Sequence, residues 1–299
     1  MNSGFLADKA RQVDMLLEQA LPPADTPPLP LHEAMRYAVL GGGKRLRGVM
    51  ALAACESVGG DSSKAIGLAV ALEMIHAYSL VHDDLPCMDD DDFRRGKPTV
   101  HKVYGEAVAV LVGDALLAEA FAELARMPRK YGVDAQTTAV VIDEVAAAAG
   151  SRGMVGGQVA DVLAPQKGES GESGIALLRY IHTHKTGALF RAALRCGGMI
   201  GGAAPGHLES LTRYGEYFGL AFQITDDILD EIGEEKALGK SVGKDREQGK
   251  LTYPRLFGLE QSRALARDSA AKCLEALKEL PMPSPVLEEL ALSVVERKR

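Results

Sequence analysis

Leu208, Leu211, Gly215, Phe218, Phe222 and Thr225 follow one another at steps of three and four residues, which lines one small or apolar stripe along a single helical face. The same spacing runs from Asp61 to about His82, from Tyr104 to about Met127 and from Ser173 to about Met199, with Asp61 placed to cap the first of these helices. Nowhere does a run alternate apolar and polar residues between hairpin dipeptides such as Asn-Gly, so the pattern selects an all-α fold. The breaks fall between these segments: a proline-rich entry from Pro22 to Pro30, a polar loop from Pro165 to Ser173, and a charged connection from Gly233 to Pro254 long enough to serve as a lid. Ser284 and Pro285 read as the cap and first turn of a terminal helix. No linker divides the 299 residues, and the expectation is one domain over residues 1–299.

Two of these helices carry clusters of carboxylates. In SLVHDDLPCMDDDDFRRG, Asp83, Asp84 and Asp89 to Asp92 put six acids within ten residues, followed by Arg94 and Arg95. A solvated acidic loop is the ordinary explanation of such a run. This one ends an apolar helix, EMIHAYSLVH, and carboxylates anchored to a rigid element read as metal ligands. The second cluster, FQITDDILD, sets Asp226 and Asp230 one turn apart on one face, with Asp227 between them. Like charges at that spacing repel unless a cation joins them. An all-oxygen donor set without His or Cys partners suits Mg²⁺, which completes its shell with water and substrate phosphate, and no EF-hand pattern argues for Ca²⁺.

Fixed cations are available for such a phosphate: Lys44, Arg45 and Arg47 in GGGKRLRG, Arg94 and Arg95, Lys185 beside Thr186 in HKTG, and Lys240, Lys244 and Lys250 in the long connection. The glycine triplet is not a Walker loop, because the GxxxxGK[ST] spacing is absent. A net charge of -7 makes nucleic acid an unsuitable partner. Cys55, Cys87, Cys196 and Cys273 form no CxxC pair, the amino terminus lacks the apolar core of a signal peptide, and no charge-free membrane span is evident. A cytoplasmic protein is expected.

Together, DDLPCMD, DDILD, GGGKRLR, GGQVAD, HKTGAL and LGKSVGKD…GKLTYP resemble the ordered motif set of the bacterial short-chain trans-prenyltransferases, the polyprenyl synthetase family, over roughly residues 33 to 260. The resemblance implies about ten or more antiparallel helices around a deep cavity and usually a homodimer. It implies that Asp83, Asp84, Asp89, Asp226, Asp227 and Asp230 hold a cluster of about three Mg²⁺ ions, replaceable by Mn²⁺, on an allylic diphosphate. Arg94, Lys185 and Lys240 are then expected on that leaving group, and Lys44, Arg47, His76 and Arg95 on isopentenyl diphosphate. Thr186 and Gln223 are expected to place small dipoles near the allylic cation. Where the family commonly writes KRLRP this chain has Gly48, a departure expected to alter the local turn more than the charge.

The implied reaction is head-to-tail condensation of isopentenyl diphosphate with dimethylallyl and geranyl diphosphates to give farnesyl diphosphate. In the family a bulky aromatic five residues before the first aspartate, here Tyr78 next to Ser79, together with the extra residues Pro86 and Cys87, floors the cavity at fifteen carbons. A geranyl or geranylgeranyl diphosphate synthase is the alternative within the class. A terpene cyclase fits less well with 5% aromatic content and no Trp, and a silent partner subunit fits less well with both aspartate motifs and the basic set intact.

Overall fold

The computed structural model of the chain describes residues 4–167, 171–232 and 251–296. Its elements are helices, apart from one two-stranded ribbon. The amino-terminal half contains α1 (Gly4–Ala20), α2 (Leu29–Leu40), α3 (Leu46–Ser57), α4 (Ile66–Asp83), α5 (Val100–Tyr104), α6 (Glu106–Ala125), α7 (Met127–Tyr131) and α8 (Ala135–Ala149). The carboxy-terminal half contains α9 (Met154–Lys167), α10 (Gly171–Ile181), α11 (Ala188–Ile200), α12 (Pro205–Ile232), α13 (Tyr253–Phe257), α14 (Leu259–Leu277) and α15 (Pro285–Glu296).

The helix α4 is apolar on nearly every side, and such a helix is stable only when surrounded. It packs between α3 and α6, and Leu68, Leu72, Met74 and Ile75 are fully buried, each worth about 1.5–3 kcal/mol on removal from water. With the 3₁₀ turn before it, Ser62–Asp83 is the one helix among the described residues long and apolar enough to cross a membrane. Inside the bundle 72% of its most apolar window is buried, so its composition is that of a core helix. Asp61 caps this turn as expected, accepting from Ser63 N at 2.9 Å.

A second spine runs through α11, which packs on α3, α8 and α12, while α12 lies against α14. The stripe read from Leu208 to Thr225 is the buried face of α12: Leu211, Gly215, Phe218 and Thr225 are all buried there. Around it Phe190, Phe218 and Phe222 pack edge to face, with centroids 5.1 and 5.3 Å apart for the two pairs that include Phe190.

The structure departs from the sequence expectation at three places. The single helix expected from Ser173 to Met199 is divided, because residues His182–Gly187 form a π-helical segment between α10 and α11. The loop expected from Pro165 to Ser173 is shorter, since α9 runs to Lys167 and α10 opens at Gly171. A tight hairpin pairs Phe93 with Pro98 and Arg94 with Lys97. Its two central residues, Arg95 and Gly96, have φ of 54° and 75°, the left-handed pair that a two-residue hairpin requires, here with arginine where asparagine is usual. Lys240, Lys244, Lys250 and most of the expected lid lie outside the described residues.

Candidate active site

Helices α3, α4, α9, α12 and the π segment surround a cavity of about 1190 Å³. Its walls include Lys44, Arg47, His76, Tyr78, Ser79, Asp83, Asp89, Arg94, Arg95, Lys185, Thr186, Gln223, Asp226 and Asp227, fourteen residues that include members of both aspartate motifs, GGGKRLR and HKTGAL. Asp84 lines the small adjoining pocket of about 50 Å³ shared with His76, Arg94 and Arg95. Asp230 is half-buried on α12 and is not part of either wall.

The two aspartates that end α4 face different partners. Asp83 lines the cavity and accepts from Gln158 Nε2 at 2.9 Å. Burial pushes its carboxyl up to about 6; the acids Asp89 and Asp84 push the same way, against Lys185 and Arg94. Asp84 is buried and gripped by Arg94, whose Nε donates to both carboxylate oxygens at 2.7 and 2.9 Å while Nη2 lies 2.5 Å from Oδ1. Arg94 is held in place by the hairpin. The residue expected to bind diphosphate and one of the expected metal ligands are therefore paired with each other.

The glycine triplet before α3 acts through its backbone. Arg95 Nη1 donates to the Gly42 carbonyl, and a Cβ on Gly43 would come within 2.7 Å of the same guanidinium. Gly43 also has φ of 134°, so only glycine leaves Arg95 its place. Arg47, in the first turn of α3, is buried with its guanidinium carbon 4.6 Å from the centroid of Phe190. Burial lowers its pKa to about 10, which leaves it charged at neutral pH, and its Nε has no hydrogen-bond partner among the described residues. Burial and the positive charge of Arg47, Arg95, Arg94 and Arg45 hold His76 well below its ordinary value, so its ring is neutral. Arg45 is spent on the fold, bonding Asp14 Oδ1 at 2.6 Å and the Val39 carbonyl at 2.7 Å. The Gly48 departure leaves the helix start intact and supplies a donor that proline lacks: its N–H bonds Glu73 Oε1 at 2.9 Å.

The opposite wall is the π segment. An extra residue in its turn rotates Lys185 and Thr186 relative to the flanking helices, the kind of local strain that π turns introduce at functional sites. Gly157 of GGQVAD lets this backbone lie against α9, because a Cβ there would meet Lys185 N at 2.2 Å. Lys185 Nζ is 2.5 Å from Asp161 Oδ2. Thr186 Oγ1 donates to Gln223 Oε1 at 2.8 Å, Gln223 Nε2 donates to Asp227 Oδ1 at 3.2 Å, and Asp227 Oδ2 accepts from Tyr253 N at 2.9 Å. Asp226, one residue earlier on α12, is exposed on the cavity wall.

Gln158, Asp161 and Glu73 are site residues that the sequence reading did not name. The GGQVAD motif contains the first two, but their partners Asp83 and Lys185 lie 75 and 24 positions away, a pairing that only the folded chain shows. A further group, Asp90, Asp92 and His101, offers ligand atoms within 4.8 Å of one another beside the first motif. It shares no residue with the expected metal ligands.

A helical bundle whose cavity carries two aspartate walls and a basic set defines a diphosphate-handling transferase, and the comparisons agree. The polyprenyl synthetase model matches residues 29–281, and the chain belongs to that family. The heterodimeric geranylgeranyl pyrophosphate synthase large subunit 1 of Arabidopsis thaliana is 48% identical over 262 residues, which are 88% of this chain and 70% of that protein. An FPP/GFPP synthase of Zymomonas mobilis superposes with a TM-score of 0.84 at 37% identity, covering 97% of each chain. A geranyltransferase of Helicobacter pylori, solved with magnesium and isoprenyl diphosphate, superposes with a TM-score of 0.82 at 29% identity, covering 99% of this chain and 98% of that one. The protein is a prenyltransferase, and its reaction is trans-prenyl diphosphate synthesis.

Proposed function

We propose that this chain, residues 1–299 acting as one domain, condenses isopentenyl diphosphate head to tail with allylic diphosphates, with Mg²⁺ as its metal. The observation that carries the reading is that carboxylates from α4 and α12 line one cavity together with Arg47, Arg95, His76 and Lys185. The donor set fits the ion: Asp83, Asp89 and Asp226 offer hard oxygens, and burial, the main cause of the raised Asp83 pKa, is a cost that a bound cation would offset. When bound, Mg²⁺ supplies Lewis acidity at the leaving diphosphate.

The residues themselves divide the remaining work. Lys185, positioned by its ion pair with Asp161, neutralises oxygens of the departing diphosphate. Arg47, Arg95 and Lys44 hold the diphosphate of isopentenyl diphosphate, and neutral His76 donates to it without adding charge. The Thr186 hydroxyl and Gln223 amide are locked to each other, which turns fixed dipoles toward the allylic carbon without presenting a strong nucleophile. No side chain is needed as base, because the departed diphosphate accepts the final proton. Lys240 joins the leaving group in this reading. A reducing cytoplasm suits four free cysteines. A second copy of the chain covers the exposed Val110 and Leu111 of the otherwise apolar α6, giving a homodimer, although the Arabidopsis relative is named heterodimeric.

Product length rests on two opposed observations. Tyr78 is buried on the cavity wall, packed edge to face on His82 with centroids 5.8 Å apart, and it favours a floor at fifteen carbons. Relatives named geranylgeranyl pyrophosphate synthases, at 45–48% identity, favour twenty carbons, a longer product than the sequence analysis expected, and one relative at 46% is named a geranylfarnesyl diphosphate synthase. The test is incubation with isopentenyl and dimethylallyl diphosphates, with Mg²⁺ or with chelator, and mass analysis of the dephosphorylated alcohols. A metal-dependent fifteen-carbon alcohol that lengthens in Tyr78→Ala makes Tyr78 the floor. A twenty-carbon alcohol from the unaltered chain assigns the geranylgeranyl product, and absence of condensation refutes the whole reading.

A further inference from the structure

A second cavity of about 430 Å³ lies between α8, α11 and α12 and shares no lining residue with the catalytic one. Its volume is within the range of about 300–1,000 Å³ usual for small-molecule sites. Three guanidiniums line it, Arg152, Arg191 and Arg195, against one carboxylate, Glu144; the hydroxyl of Thr212 and small residues complete the wall. The reaction described above uses none of these residues.

The three arginines are held differently. Arg195 is fixed: its Nε and Nη2 both donate to Glu144, the second at 3.3 Å, and its Nη1 donates to Thr212 Oγ1 at 2.7 Å. Arg191 is only loosely engaged, with Nη1 3.7 Å from Glu216 Oε1 and both side chains substantially exposed. Arg152, in the turn between α8 and α9, is exposed and has no hydrogen-bond or ion-pair partner among the described residues. With Glu144 committed to Arg195, the cavity retains the fork of Arg152 and that of Arg191, whose ion pair with Glu216 is long at 3.7 Å, walled by alanine and glycine that add no competing side-chain acceptor. Planar forks of this kind match phosphate oxygens in bidentate geometry.

We infer that this cavity is a second anion site, taking a compact phosphorylated anion between Arg152 and Arg191 with Arg195 as its fixed wall. The anion is either free phosphate or diphosphate, or the diphosphate head of a prenyl chain, and the chemistry shared by these sources is a tetrahedral phosphate group.

The test is calorimetric titration of the full-length protein after its catalytic cavity has been filled with isopentenyl diphosphate and a non-reactive allylic thiolodiphosphate. Inorganic phosphate, inorganic diphosphate and geranylgeranyl diphosphate are titrated in separate arms. The expected result is saturable, salt-sensitive binding in at least one arm. That binding weakens at least about tenfold, or about 1.4 kcal/mol, in the double variant Arg152→Ala/Arg191→Ala, while turnover and thermal midpoint are kept. The arm that responds identifies the source. Absence of saturable binding in every arm, or binding of equal strength in the double variant, overturns the inference. Arg152→Lys/Arg191→Lys, which keeps charge and removes the fork, is expected to bind with intermediate affinity; full affinity in that variant would leave charge alone as the cause and refute the bidentate site.

Discussion

The carboxyl end of α4 and the carboxy-terminal part of α12 carry the same dipeptide, Asp-Asp, and hold it with different partners. Asp83 closes its helix, where the macrodipole is negative and a carboxylate is least welcome, while Asp226 and Asp227 lie six and five residues before Ile232, the last described residue of α12. In the first pair Asp83 lines the main cavity and Asp84 does not, whereas in the second both Asp226 and Asp227 line it. Asp84 is held by the hairpin arginine Arg94, and Asp227 receives Tyr253 N and Gln223. On the proposed metal-binding reading, a doubled aspartate combines one ligand with one anchor, and the anchor ties its helix to a separate segment: the 93–98 hairpin in the first case, the start of α13 in the second.

Conservative amides test that division. Asp83→Asn is expected to lower kcat by about 10²–10³-fold, the cost of losing one well-placed charge contact at a reacting diphosphate, with the thermal midpoint unchanged or raised. Asp84→Asn is expected to lower activity and also to cost up to about 3–5 kcal/mol of stability, because it removes the carboxylate that the mostly buried Arg94 grips through both oxygens and leaves the longer pair with Asp91 at 3.6 Å. Denaturant midpoints and steady-state rates on the two variants decide the matter; equal stability losses would erase the distinction between ligand and anchor. On α12 the same split is smaller. Asp227→Asn is expected to cost about 1–3 kcal/mol through the buried Tyr253 amide, and Asp226→Asn less than about 0.5 kcal/mol, both read in urea.

How far this was legible in the sequence depended on whether the signal was local. The stripe through Leu211, Phe218 and Thr225 predicted α12 and the place of its aspartates, because periodicity and motif occupy the same 28-residue helix. The π segment was not legible: one inserted residue in a turn leaves the apolar spacing on either side nearly unchanged, so Ser173 to Met199 read as one helix. The hairpin was missed because its left-handed position is held by Arg95, which its bond to the Gly42 carbonyl supports and no turn preference announces. The division within each Asp pair depends on Arg94, Gln158 and Tyr253, whose approach is decided by packing and not by spacing.

The last comparison of the two regions is by pH, where two slopes partly cancel. Burial raises Asp83 to about 6, so in the metal-free protein the folded state keeps a proton that the unfolded chain releases near its ordinary value of 3.8, and stability falls as pH rises through that window. His182, stacked on Tyr253 with centroids 5.5 Å apart and 3.9 Å from Asp227, has the opposite sign. Burial holds it at about 3 against an ordinary 6.5, so the stability present above pH 6.5 is lost as pH falls toward 3, at up to about 1.4 kcal/mol per pH unit. Thermal midpoints of metal-free protein at pH 7 and 5.5 separate the two contributions. His182→Gln is expected to reduce the loss on acidification and Asp83→Asn to increase it, because each removes one of two slopes that offset each other in the unaltered chain. If both variants shift the slope in the same direction, the two aspartate regions do not differ in the way their burial implies.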